Sequence, residues 1–476
     1  MTTDRESFKI ELPSTVLDTL KFMIEEEARR NRIPGLSVAL VYDQETVWTY
    51  SFGYADLERR VPTTPQTIFA VGSITKIITA IMMMRLRDAG KLGLDDAIEK
   101  FLPSIKIRSS GNNGRPVTLR QISSHTAGLQ REVSAEGWHT LKFPTIEQLL
   151  ESFKEVATVF PPFSRYKYSN LGYTILGHVL SIVACVPYKE YVRSNILSPL
   201  GMTHSGFDIT EEMKQNLAIG YNVSGEDPID TTPYLDFGAV APAGQLYSSV
   251  EDICRLISLQ FIEDPLTGND SSREAENDKD YLTVLEPATI REMHSPVYIG
   301  KRWVGGTGIG WHITNTMGHT ISSHRGGIPG FTTDIAVVRD IKLGIAVFTN
   351  AFPQPNDITV RLLESLVPYF ETFTAVKSDL ELKNKPQDLS LEKYTGKYHS
   401  KYFGDIAILQ LDGRLILTDP LAPPGLQTVL IPIAPDRFIM SGGDEDGEPA
   451  LFETNDDGSV RAVNTAGYRF EFLKKL

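Results

Sequence analysis

The chain has 476 residues, 41% of them hydrophobic and 22% charged, with a formal net charge of −13. This length exceeds one ordinary core and predicts two domains, or one large domain with an appendage; the composition excludes wholesale disorder. The acidic balance argues against nucleic acid and anionic membrane as partners, and no run of eighteen apolar residues predicts a transmembrane helix.

The first residues, "MTTDRESFKIELP", carry no cationic start, apolar run or cleavage site. No secretory signal is read there, and the expected location is the cytoplasm. A helix is predicted from Ser14 to about Asn31, with Ser14 as N-cap and Asp18 complementing the helix dipole. "LSVALVY" (36–42) and "VWTYSFG" (47–53) read as paired strands around Asp43-Gln44-Glu45. The next stretch, "FAVGSITKIITAIMMMRL" (69–86), predicts a core helix that stops at Gly90. From about residue 90 to 300 the pattern is mostly helical with long loops. "SNLGYTILGHVLSIVA" has helical apolar spacing and a cap at Ser169 or Asn170. The acidic stretch 263–280 reads as an exposed loop. Strand signals return in "GIGWHIT", "TISSHRG", "TTDIAVV" and "LGIAVFT", followed by the helix "DITVRLLESLVPYF". Early and late strands together predict one antiparallel sheet flanked by helices, an α/β (α+β) fold with a large helical insertion. Residues 374–387 read as a linker, and 388–476 as a small antiparallel β-barrel with turns at Asp412-Gly413, Gly442-Gly443 and Asp457-Gly458.

Three stretches carry chemistry. Ser73 and Lys76 lie one helical turn apart at the head of the apolar helix, so they share a face. Serine becomes a good nucleophile only when a base takes its proton. Lysine serves as that base only when burial or a neighbouring charge lowers its pKa, and an apolar helix supplies burial. Two other Ser-x-x-Lys pairs, Ser164/Lys167 and Ser390/Lys393, do not open such a helix. In "YKYSNLGY", Tyr168 offers a phenol that can relay a proton, and Asn170 an amide that can orient the lysine or hold a carbonyl. In "SSHRGGIPGF" (322–331), a strand ending in Gly-Gly lets a substrate backbone lie alongside, and His324 can donate, accept or titrate.

In this order, Ser-x-x-Lys, Tyr-x-Asn and His-x-Gly make the chain resemble the serine β-lactamase and penicillin-binding-protein superfamily. The likeness is greatest to its class C-like branch of β-lactamases, D-amino-acid peptidases and esterases. It covers about residues 15 to 370 and extends to "GKLGLDDAIEKFLP", "VTLRQISSHTAGL", "ILSPLGMTHSGF" and "APAGQLYSSVEDICRL". The resemblance implies a catalytic domain over 1–373 and a lipocalin-like barrel over 388–476 that shapes the active-site entrance or mediates homo-oligomers. It implies Ser73 as acylated nucleophile, Lys76 as its base partner, Tyr168 in proton transfer and Asn170 beside it. His324 falls where many relatives carry a lysine, and the amides of Gly327 and Ser73 form the oxyanion hole.

The implied function is a serine hydrolase that forms an acyl-enzyme on amide or ester bonds. Small peptides or D-amino-acid derivatives rank first as substrates. A carboxylesterase or class C-like β-lactamase is the alternative, and a non-catalytic penicillin-binding sensor or binding module is another. No cofactor or metal is called for. Histidine at 324 in place of a permanent cation predicts weaker recognition of a substrate carboxylate, and an inflection in acylation rate as His324 titrates. Arg325 points to the opposite face by strand alternation. Loops 105–115, 131–145 and 220–240 are expected to set specificity.

His125 and His178 lack a second ligand at metal spacing, and Met82–Met84 read as helix packing. "GGTGIG" does not follow a strand and open a helix, so it is not read as a nucleotide loop. Cys185 and Cys254, both in apolar helical patterns, read as free core cysteines.

Overall fold

The computed structural model describes residues 12–108, 116–133, 137, 140–152, 155–223, 229–230, 234–262, 283–352, 357–383, 391–401, 404–411, 413–418, 428–442, 445 and 447–475. The acidic stretch 263–280, parts of the three loops expected to set specificity, and Ser390, Asp412 and Gly443 lie outside them. The chain divides into two compact units, Met1–Thr372 and Phe373–Leu476.

The first unit is built on a nine-stranded sheet. Its strands are β1 (Gly35–Tyr42), β2 (Glu45–Asp56), β3 (Val61–Pro62), β4 (Tyr298–Ile299), β5 (Gly305–Thr307), β6 (His312–Thr316), β7 (His319–Ile328), β8 (Phe331–Val338) and β9 (Leu343–Thr349). They lie in the order β4-β5-β6-β7-β8-β9-β1-β2-β3, with antiparallel neighbours throughout. The N-terminal hairpin thus completes a sheet whose other strands come 250 residues later, because β1 pairs with β9 from Leu36↔Thr349 to Tyr42↔Leu343. Strands β1, β8 and β9 are buried along their whole length, which fits their largely apolar runs, although β8 also buries Thr332, Thr333 and Asp334.

Helices cover both faces. On one side lie α1 (Ser14–Arg30), which enters through Pro13 and not through a Ser14 cap, and the part up to Thr372 of the long helix Asp357–Lys383, whose Phe370 ring stacks on Tyr42 of β1. Proline's fixed φ suits that entry, and its carbonyl accepts the amides of Val16 and Leu17. On the other side lie α2 (Thr75–Asp88) and α4 (Val250–Leu259), with α3 (Asn170–Ala184) packed on α2. The helix Asp357–Lys383, here α5, runs through most of the segment expected to be a linker. That segment, "TAVKSDLELK", is rich in helix formers and has no proline or glycine to stop it.

Helix α2 is buried on every side, from Thr75 to Met84, so its pattern is apolar all round. Cys254 is buried in α4. Cys185 is not a core residue: it is exposed just past α3, where it closes the helix in the left-handed conformation at φ 55°.

The second unit is a closed antiparallel barrel of eight strands, from Gly396–Ser400 to Tyr468–Lys474. Its interior is filled by Tyr394, Tyr398, Phe438, Met440, Phe452 and their neighbours. Among the described residues, no single helix is long and apolar enough to cross a membrane.

Candidate active site

Ser73 sits in a tight turn, Gly72–Ile74, that leads into α2. The turn is held by β8, where Thr333 Oγ1 donates to Val71 O at 2.8 Å, and by Thr75 Oγ1, which donates to Gly72 O at 2.6 Å. Two glycines allow the approach. Gly72 has φ +54°, and a Cβ there would come within 3.0 Å of the Gly327 amide nitrogen. A Cβ at Gly326 would collide with the Val71 carbonyl. Strand β7 can therefore lie against the serine turn, which brings Gly327 and Ser73 onto the wall of one cavity of about 310 Å³.

The cavity floor is a polar cluster inside an apolar core. Lys76 is fully buried, and its Nζ lies 3.1 Å from Ser73 Oγ. It donates to Asn170 Oδ1 at 2.8 Å and to Ala243 O at 2.6 Å. Tyr168 OH lies 2.7 Å from Ser73 Oγ and donates to it. Asn170 is the first residue of α3, placed by the Ser169 cap, whose hydroxyl accepts the Gly172 amide at 2.9 Å. Asn170 Nδ2 in turn donates to both carboxylate oxygens of Glu132, at 2.8 and 3.0 Å.

Burial sets the charges here. It pushes Lys76 well below the ordinary ammonium range, with Glu132 opposing and Arg131 reinforcing that shift. It pushes the Tyr168 phenol up to about 12, against the opposing effect of its bond to Ser73. Both shifts favour the uncharged forms, the free amine and the protonated phenol.

The structure brings all six residues singled out in the sequence into one region, but it changes the reading of His324. His324 is buried, and its ring packs 5.1 Å from that of His312. Its Nδ1–H donates to Arg325 O at 3.0 Å. Burial, with His312 and Lys76 nearby, holds it well below the usual histidine range. Burial thus works against the protonation of His324 on which the expected inflection in acylation rate depends. Arg325 is exposed, as alternation predicted.

Three participants escaped the sequence reading: the Ala243 carbonyl, Arg131 and Glu132. A backbone carbonyl leaves no residue-type signal. The two side chains follow the landmark "VTLRQISSHTAGL" by one residue, at the start of the 131–145 loop expected to set specificity, and that adjacency was the available clue to their individual roles. His125, inside the landmark, is buried and structural: its Nδ1 accepts the Ser169 amide at 3.2 Å, and its ring packs 4.4 Å from that of Tyr168. His178 is half-buried on α3. Among the described residues, no group of three or more His, Cys, Asp or Glu side chains is placed to hold a metal ion.

This sheet, helix arrangement and Ser–Lys–Tyr cluster define the serine β-lactamase and penicillin-binding-protein superfamily. The chain belongs to the beta-lactamase family, whose model matches residues 21–366. A beta-lactamase-like protein 2 of Dictyostelium discoideum is 29% identical over 361 residues, 73% of this chain and 62% of that protein's own length. Protein flp of Staphylococcus aureus is 25% identical over 364 residues, 76% of this chain and 68% of that one. Among solved structures, the octameric penicillin-binding protein homologue from Pyrococcus abyssi is 24% identical with a TM-score of 0.60. That likeness covers 95% of this chain and 99% of the homologue. A class C beta-lactamase mutant reaches a TM-score of 0.62 at 20% identity, over 75% of this chain and 98% of its own. At these identities the solved structures establish the shared fold.

Proposed function

We propose that this protein hydrolyses small amides and esters through an acyl-enzyme on Ser73. The observation that carries the proposal is the set of acceptors around Lys76. A neutral amine has two N–H donors and one lone pair. Asn170 Oδ1 and Ala243 O accept the two N–H bonds, so the lone pair is left facing Ser73 Oγ. Lys76 then takes the Ser73 proton as Oγ bonds to the substrate carbonyl carbon. The carbonyl oxygen gains the negative charge next to the amides of Ser73 and Gly327, an arrangement worth roughly 3–4 kcal/mol of barrier per donor. Tyr168, protonated at rest, hands its proton to the leaving group and is refilled from the Lys76 ammonium. Water repeats the cycle to release the acid and regenerate Ser73.

The surroundings narrow the substrate. His324 is buried and its protonation is disfavoured, so it supplies no permanent cation to a penicillin carboxylate, which leaves Arg131 as the cation on the cavity wall. Phe237, Val240, Ile328 and Phe352 give the cavity an apolar wall. Short peptide-like amides and D-amino-acid derivatives rank first, uncharged carboxylic esters second, and β-lactams last.

The test is a fluorophosphonate label followed by a hydrolysis panel of D-aminoacyl anilides, p-nitrophenyl esters and nitrocefin. The wild type is expected to label and Ser73→Ala not to, with amide or ester turnover exceeding that of nitrocefin about tenfold or more. Labelling without turnover of any class would reduce the protein to a sensor. A wild type that never labels ends the proposal.

A further inference from the structure

The segment Gln130–Glu132 is strapped across the start of α3. Ser169 Oγ donates to Gln130 O at 2.6 Å, and the amides of Asn170 and Leu171 donate to Arg131 O at 2.6 and 3.2 Å. The Arg131 guanidinium lies 5.1 Å over the Tyr168 ring, and its Nε donates to Glu132 Oε1 at 3.1 Å. Each residue of the Tyr168-Ser169-Asn170 motif is thus held by this strap.

The bond between Asn170 and Glu132 carries directional information. A carboxylate accepts and cannot donate, whereas the two ends of a side-chain amide differ. Only the Nδ2 end of Asn170 can face both Glu132 oxygens, so the Oδ1 end must face Lys76. If Asn170 turned over, its N–H would compete for the lysine lone pair that faces Ser73. We propose that Glu132 is a positioning residue: through the Asn170 amide it fixes the direction of the Lys76 lone pair and so makes Lys76 the base for Ser73. The inference rests on the acyl-enzyme reading above.

Glutamine at 132 tests it, because its own amide can accept or donate and the constraint on Asn170 disappears. The pH profile adds a readout that simple scaffolding would not move. Lys76 is faced by the phenols of Tyr168 and Tyr173, the imidazoles of His125, His312 and His324, and the Arg131 guanidinium. Glu132 is the neighbour that favours its ammonium form. Losing that carboxylate makes the lysine easier to deprotonate, so the acid limb of the rate profile moves to lower pH while the plateau falls.

The experiment compares the full-length wild type, Glu132→Gln, Glu132→Asp, Asn170→Ala and the Glu132→Gln/Asn170→Ala double variant, in fluorophosphonate labelling rate and p-nitrophenyl ester kinetics from pH 5 to 9. Glu132→Gln is expected to lose roughly 10- to 100-fold in acylation rate with KM little changed, and to shift its acid limb downward. Glu132→Asp keeps the carboxylate and recovers part of the rate, which separates positioning from misfolding. In the Asn170→Ala background, Glu132→Gln costs less than about twofold more. Three outcomes would each overturn the inference: Glu132→Gln within twofold of wild type, a rise in KM alone, or additive losses in the double variant. If the wild type itself fails to label, the acyl-enzyme reading falls, and this inference with it; a labelling wild type with an indifferent Glu132→Gln removes this inference alone.

Discussion

Each unit of the molecule places a lysine over a tyrosine ring, and the two lysines are shifted in opposite directions. In the first unit, Lys76 Nζ lies 4.8 Å from the centre of the Tyr168 ring; in the barrel, Lys393 Nζ lies 4.6 Å from that of Tyr394. Both lysines end a Ser-x-x-Lys stretch. The difference is the acceptor. Lys393 donates directly to the Asp436 carboxylate at 2.6 Å, and Tyr394 OH donates to the same oxygen at 2.8 Å. Burial pushes Lys393 down, but the bond to Asp436 outweighs it, and the lysine titrates above its ordinary value. Lys76 directly meets an amide oxygen, a peptide carbonyl and the Ser73 hydroxyl, and its carboxylate neighbour, Glu132, stands one residue away behind Asn170. A lysine one bond from a carboxylate is a structural cation. A lysine two bonds from one, and fully buried, is shifted toward the free amine that the proposed mechanism needs.

The sharpest way to break this comparison is to remove both amines. Lys76→Met keeps the apolar volume and deletes the base, and is expected to cost roughly a thousandfold or more in acylation rate. Lys393→Met is expected to leave acylation within twofold and to cost about 1 kcal/mol or less in stability, as a half-exposed ion pair should. Equal effects of the two variants on the labelling rate would dissolve the distinction. The phenols come next. Tyr168→Phe removes the proton relay but leaves the amine, so a loss of about 10- to 100-fold in kcat is expected, smaller than that of Lys76→Met. A Tyr168→Phe enzyme slower than Lys76→Met would make the phenol the base.

Much of this site was legible because its elements are local. The Ser73 helix, the Ser169 cap and the four late strands announce themselves through spacing and composition, and so does the joining of early and late strands in one sheet, whereas the register of β1 against β9 came only with the structure. What stayed hidden depends on long-range contact. The Ala243 carbonyl reaches Lys76 across 167 residues of sequence. The downward shift of His324 depends on how β6 and β7 bury it beside His312 and Lys76. Cys185 looked like a core residue because its neighbours are apolar, but the chain turns left-handed there and exposes it. The barrel was visible as strands and turns, whereas the helix that runs up to Lys383 was masked by the polar, linker-like look of its last turns.

The smallest effect concerns the aspartates, where the same contrast recurs. Asp436 in the barrel is drawn below the usual carboxylate range: burial opposes ionisation there, and the bonds from Lys393 and Tyr394 overcome it. Asp334, on β8 directly across from Arg325 on β7, is buried and pushed up to about 7, with Arg325 only partly offsetting the burial. A carboxyl whose folded pKa lies above its unfolded value of about 3.9 supports the fold fully only below that value, and the support drains away as pH rises toward 7. Asp334→Asn removes the cost of ionisation. Its expected signature is a melting temperature about 2–5 °C above wild type at pH 8, shrinking toward zero as pH falls to 4. Thermal melts across that range decide it: a gain that does not change with pH would mean that Asp334 is neutral for some other reason, or charged throughout. The second outcome would remove the contrast between Asp334, which burial holds toward its protonated form, and Asp436, which its partners hold ionised.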